Sequence, residues 1–101
     1  MDAHGYCVIP SVIAGAELAE ARKALDLALE GMAKRGIPTF DPLLDPNASN
    51  VRVYNLPDLH PVFMEMLRHP KVLPVVKALI TDDGIVSNFT GNIAFPGSQS
   101  M

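Results

Sequence analysis

Four side chains in this sequence could carry metal or nucleophilic chemistry: His4, His60, His69 and the single cysteine, Cys7. The histidines are not spaced as His-x-Asp or His-x-x-x-His, and Asp58-Leu59-His60 reverses the order of the facial pair that holds non-haem iron. The sequence therefore predicts no metal site. No Gly-x-Ser-x-Gly elbow marks a serine nucleophile, and no glycine-rich loop offers itself to a phosphate. His60 and His69 each stand directly before a proline, where a helix start gives them a structural use, and that reading is favoured over a ligand role. Cys7 lacks a basic neighbour and is expected to be a small buried apolar side chain. The sequons Asn47-Ala48-Ser49 and Asn88-Phe89-Thr90 are read as fortuitous, since no secretion signal accompanies them.

Composition narrows the classes further. The chain has 101 residues, of which 49% are hydrophobic, and carries a formal charge of −3 from 8 basic and 11 acidic side chains. The length suits one small domain or part of one, and so apolar a short chain is expected to pack some of its surface on something else. The basic residues are scattered, which argues against nucleic acid as a partner. One cysteine excludes an internal disulfide framework and a cysteine-rich zinc site. Without a leader or about 18 uninterrupted apolar residues, no membrane association is expected and a cytoplasmic location is.

The elements that must position any site follow from periodicity. Gly5 to Pro10 reads as a brief strand. From Ala16 to Lys34 the residues Leu18, Ala21, Leu25, Ala28, Leu29 and Met32 recur every three or four positions, predicting one amphipathic helix that Gly36 can end. Ile37 to Asn50, with Pro38, Pro42 and Pro46, is an irregular loop of the kind that lines sites. Val51 to Leu56 alternates like a strand, Arg52, Tyr54 and Leu56 on one side and Val51, Val53 and Asn55 on the other. Two short helices are expected over Val62 to Leu67 and Val72 to Ile80, Pro74 implying that the second begins at Leu73 or has an irregular first turn. After a turn at Thr81 to Gly84, Ile85 to Phe95 alternates as a strand or as two strands broken near Gly91. Its polar face is Asn88, Thr90 and Asn92, and Pro96-Gly97 ends it.

In combination these pieces have a family likeness. Gly5-Tyr6-Cys7-Val8-Ile9-Pro10 before the long helix, Arg52-Val53-Tyr54-Asn55-Leu56, Leu67-Arg68-His69-Pro70-Lys71-Val72-Leu73, and Ser87-Asn88-Phe89-Thr90-Gly91-Asn92 leading to Pro96-Gly97-Ser98 occur in an order and spacing that resemble the N-terminal part of the phytanoyl-CoA dioxygenase family. The resemblance runs from Gly5 to Met101. It implies an α+β fold: N-terminal helices and the first strands of a double-stranded β-helix, or jelly roll, incomplete within residues 1–101. It also implies iron(II) and 2-oxoglutarate as cofactors of the full-length family and a small organic molecule as substrate.

In that family the iron is held by a His-x-Asp pair and a distal histidine, and an arginine further on meets 2-oxoglutarate. The resemblance puts the His-x-Asp pair just past Met101, so no catalytic or metal-ligating residue carries over, and the chain alone is expected to be inactive and to bind neither cofactor tightly. Asn55 and Asn92 match polar positions directed toward 2-oxoglutarate or the iron centre, while Arg52, Asn88 and Thr90 are expected to line the substrate pocket. Asn88, Thr90 and Asn92 fit equally well the wet face of an ordinary half-buried strand. Two functional expectations stay open: the front part of an iron(II)/2-oxoglutarate dioxygenase, or a non-catalytic helical binding or regulatory module derived from that family. On the first of these, an unpaired edge on the Ile85 to Phe95 strand favours self-association.

Overall fold

The structure, a computed structural model, describes residues 3–45 and 47–98. Pro46 of the predicted loop, the first two residues and the stretch after Ser98 lie outside the described residues. The chain order is α1 (Gly15–Lys34), β1 (Asn50–Val53), α2 (Leu56–Leu59), α3 (Pro61–Leu67), α4 (Leu73–Ile80) and β2 (Gly91–Ala94). The two strands pair antiparallel, with Asn50 opposite Ala94, Val51 opposite Ile93, Arg52 opposite Asn92 and Val53 opposite Gly91.

The long helix forms where its periodicity places it, yet its buried line is Ala24, Ala28 and Met32. Leu18 and Leu27 are about half exposed. Two alanines four residues apart make a low ridge on one face, and a sheet can come closer to a low ridge than to a row of leucines. Val53, Leu56, Val62 and Phe63 complete the core, with Leu25, Leu29 and Phe89 packed at its edge. The Phe63 and Phe89 rings meet edge to face at 6.2 Å, a favoured aromatic geometry.

Helix α1 ends as Gly36 allows. Gly36 has φ +68°; its N–H donates to the Ala33 carbonyl and that of Ile37 to the Met32 carbonyl. This double bond pattern is the Schellman motif, which satisfies carbonyls the helix cannot. The chain is thereby aimed into the loop, where the Thr39 carbonyl accepts the Arg52 N–H at 2.8 Å. The outer edge of β1 is thus partly covered by the loop that precedes it.

Several local expectations are corrected. Gly5 to Pro10 forms no strand, and Cys7 is exposed; Tyr6 and Val8 are exposed too, so this run has no partner among the described residues, and an extended segment without one has no ladder to hold it. The first strand stops at Val53 because Asn55 adopts a left-handed conformation, φ 55° and ψ 47°, and caps α2, which has Pro57 in its first turn. That turn carries Leu56 into the core on the same side as Val53. The Ile85 to Phe95 strand is reduced to four residues, since β1 offers only four to pair with, and residues 85–90 form no strand. The Leu56 N–H donating to the Phe89 carbonyl holds this segment to the start of α2.

No helix of the described residues is long and apolar enough to cross a membrane. Gly91 fixes the separation of α1 and the sheet: a Cβ there would lie 3.1 Å from Leu25 Cδ1 and 3.7 Å from Val53 Cβ. Gly91→Val is therefore expected to lower the urea midpoint by an amount equivalent to about 1–3 kcal/mol of overpacking, measured by chemical denaturation. An unchanged midpoint would mean that the helix and sheet separate freely.

Candidate functional site

The most densely bonded polar group grows out of the loop before β1. Asp45 is 1% exposed. Its Oδ1 accepts from the Asn47 backbone N–H at 2.8 Å and the Asn47 side-chain amide at 3.1 Å. Its Oδ2 accepts from the Asn50 amide at 2.8 Å and from Arg52 Nη2 at 3.4 Å. The Asn50 amide, then the Asn47 backbone N–H, hold the carboxyl below its ordinary value; burial opposes them, and the Asn47 side chain and Arg52 add to the lowering. Asp45 is thus an ionised hub that orients Arg52 from behind.

Beside the hub are two unmatched atoms. Asn50 Oδ1 and Arg52 Nε are buried without a hydrogen-bond partner among the described residues. Arg52 uses one long bond of the five that its guanidinium can donate, and its side chain is 22% exposed. The sheet register sets Arg52 opposite Asn92, so the two share a face, and Asn92 is exposed. Val53 and Gly91, one residue along, are turned to the opposite face, where Leu25 of α1 packs. Helix α1 therefore covers the apolar side of the sheet and leaves Arg52 and Asn92 on the other.

The remaining expected residues are placed elsewhere. Asn55, at the left-handed corner between β1 and α2, and Asn88, on the segment before β2, line one cleft of about 270 Å³ with Asp58, Met64 and Ser87. Asn55 also borders a second cleft, of about 300 Å³, against Arg35 and Tyr54. Thr90 is half-buried in a shallow apolar recess with Arg22, Leu25 and Phe63. The structure thus groups Arg52 with Asn92 and Asn55 with Asn88, and separates Thr90 from both. Asp45, Asn47 and Asn50 were missing from the sequence-based set; their signal was a run of side chains that bond their own backbone, Asp45-Pro46-Asn47-Ala48-Ser49-Asn50.

Of the two His-Pro histidines, His60 has the helix-start role expected of it, its Nδ1 accepting the Val62 N–H at 3.1 Å; His69 Nδ1 accepts the Lys71 N–H at 3.2 Å in the turn before α4, whose own start at Val72 has no side-chain cap. Among the described residues no group of three or more His, Cys, Asp or Glu side chains is placed to hold a metal ion. An apolar cleft of about 370 Å³ lies between α3, α4 and residues 84–86, with Val12 and Ile13 also on its wall.

Comparison with known proteins finds a dioxygenase. The chain is 45% identical over 98 residues to dioxygenase af480 of Aspergillus fumigatus, an alignment that takes in 97% of this chain and 32% of that protein. The chain spans about a third of the length of the curated relative it matches. No family model matches the chain. No solved structure matches it either.

The lowered Asp45 carboxyl fixes the sign of an acid effect. Its folded-state value lies below the ordinary 3.8, so its stabilisation is complete above that value and is lost as the pH falls through the lowered one. Asp45→Asn is expected to remove this component of acid sensitivity below about pH 4 and to loosen Arg52, read as a lower unfolding midpoint at neutral pH. Parallel acid-denaturation profiles for the variant and the wild type would show that the hub is not ionised in the folded chain.

Proposed function

We propose that this chain forms the helical flank and a first strand pair of an iron(II)- and 2-oxoglutarate-dependent oxygenase domain of the phytanoyl-CoA dioxygenase type, acting on a small organic substrate. The observation that carries this reading is the 45% identity to a named dioxygenase along 97% of the chain. The order of motifs from Gly5 to Ser98 adds iron, 2-oxoglutarate and a jelly roll to that coarser statement.

Within this reading the chain's own part is to wall and polarise a pocket. The described residues do not fit the metal, since no ligand set is gathered among them. Arg52 and Asn92 are the pair best placed to act on an acidic co-substrate, because they share the sheet face that α1 leaves free. A guanidinium donates to a carboxylate through a planar fork, and Asp45 holds one nitrogen of that fork, Nη2, in place. An amide at Asn92 both donates and accepts, so it suits a keto or carboxyl oxygen as well as a substrate hydroxyl. Asn55 and Asn88, in a cleft of their own, are assigned to the pocket margin.

Titration calorimetry on the intact polypeptide that carries this sequence tests the reading. Binding of 2-oxoglutarate that requires Fe(II) is expected, and Arg52→Ala or Asn92→Ala should weaken it about ten- to a hundredfold, the worth of a charge-assisted hydrogen bond. Absence of Fe(II)-dependent binding in the wild type would remove the oxygenase reading and favour a non-catalytic binding module. Wild-type affinity in both variants would instead move the co-substrate off this face.

A further inference from the structure

We propose that the cleft between the C-terminal end of α1 and the β1–α2 corner binds a small zwitterion, an α-amino acid with an apolar side chain. The cleft measures about 300 Å³; Arg35, Tyr54, Asn55 and Asp58 supply its polar groups, and Met32, Ile37 and Leu59 make up the apolar remainder. A few polar groups converging on an apolar surface are the ordinary make-up of a small-molecule site. Neither Arg52 nor Asn92 lines this cleft, so the proposal goes beyond the oxygenase reading and does not rest on it.

Arg35 and Asp58 bring opposite charges to one cleft without meeting. The ion pairs among the described residues are Arg52 with Asp45, His69 with Glu17 and Lys77 with Asp82, the last an exposed pair that closes to 3.2 Å. Arg35 donates through Nε to the Gly31 carbonyl of its own helix at 3.1 Å, and its two Nη nitrogens meet no acceptor among the described residues. The Asp58 carboxylate accepts no hydrogen bond among them either, whereas that of Asp45 accepts four. A ligand carrying both charges matches both ends at once. Its carboxylate takes the planar fork of Arg35, and its ammonium group donates to Asp58 beside Tyr54, whose ring attracts a cation through its face. A plain carboxylate would meet the repulsion of Asp58, and a plain amine that of Arg35.

Both walls are set by the backbone before any ligand arrives. On one side the Schellman bonds at Gly36, from its own N–H to the Ala33 carbonyl and from the Ile37 N–H to the Met32 carbonyl, fix the chain between Arg35 and Ile37. On the other, Asn55 turns β1 into α2 at φ 55° and ψ 47°, a conformation asparagine tolerates better than most side chains, and its carbonyl accepts the Asp58 N–H at 3.0 Å. Each charged residue stands close to a core anchor in the chain: Met32, 3% exposed, precedes Arg35 by one helical turn, and Leu56, 4% exposed, precedes Asp58 on α2. A lining ordered in advance gives up less freedom on binding, which favours a ligand as small as an amino acid.

Amide NMR of the full chain titrated with L-leucine at neutral pH tests the site. Saturable shifts are expected at Gly36, Ile37, Asn55 and Asp58. Isocaproate and isoamylamine, which keep the hydrocarbon of leucine and lack its ammonium or its carboxylate, should each bind at least about threefold more weakly. Arg35→Gln and Asp58→Asn should each weaken leucine by about three- to tenfold. Both side chains are exposed, so the fold is expected to survive the changes. Lys34→Gln removes a neighbouring cation that lines no part of the cleft and should leave the affinity as it is. The proposal is overturned if isocaproate or isoamylamine binds as well as leucine, if Asp58→Asn or Arg35→Gln keeps wild-type affinity, if Lys34→Gln weakens binding as much as Arg35→Gln, or if the wild type shows no saturable shift at the four amides. Iron and 2-oxoglutarate are absent from the titration, so its failure leaves the oxygenase reading untouched.

Discussion

The close approach of α1 to the sheet at Gly91 is the constraint on which the rest depends. Ala24 and Ala28 keep the helix surface low, and Gly91 presents no side chain to Leu25, so helix and strand meet at a distance that a single added methyl would crowd. Gly91 lies opposite Val53 in the register. Helix docking and strand pairing therefore specify each other, because a slip of one residue would bring Asn92 under Leu25 and turn the polar side of the sheet into the core. Val53, with no exposed surface, is the point where the two requirements coincide.

The loop between α1 and β1 is shaped by a different interaction, the burial of a charge. A carboxylate withdrawn from water is costly unless hydrogen bonds replace its hydration, and Asp45 gathers four within its own neighbourhood. Three of the donors come from Asn47 and Asn50 and the fourth from Arg52, so ordering the loop and ordering the strand's one arginine are a single event. The Asn50 Oδ1 and Arg52 Nε atoms left unmatched beside it are where a bound water or the polar end of a ligand would gain most, since an unmet buried group retains its full desolvation penalty.

Elements governed by local rules were legible in the sequence. The α1 helix, its glycine stop, the Pro-rich loop, the short helix ending at Ile80 and the His60 cap all follow from patterns within a few residues of one another. What was not legible depends on partners distant in the chain. The stretch from Gly5 to Pro10 has the composition of a strand, but no segment lies alongside it; Ile85 to Phe95 alternates throughout, but β1 is only four residues long. The packed face of α1 was read correctly through Ala21, Leu25, Ala28, Leu29 and Met32, but Ala24 was missed and Leu18 is exposed, because leucines carry more hydrophobic weight than alanines in a periodicity, whereas packing distance favours the alanines. Arg52 was expected to face a pocket, and it does lie on the face away from α1, but Asp45 behind it could be found only once the loop was folded.

The two sides of this small structure offer different chemistry, and the helix decides which is which. By taking the Val53–Gly91 side of the sheet, α1 leaves a basic and amide surface at Arg52 and Asn92, suited to anions and keto oxygens. Beyond α3, the residues of α4 are at most half-buried, and Val76, Leu79 and Ile80 join Ile85 and Val86 as exposed apolar side chains, more than a small domain ordinarily leaves to water in one region. A single substrate with a polar reacting end and a hydrocarbon body would use both surfaces, and so would a protein partner with an apolar seam.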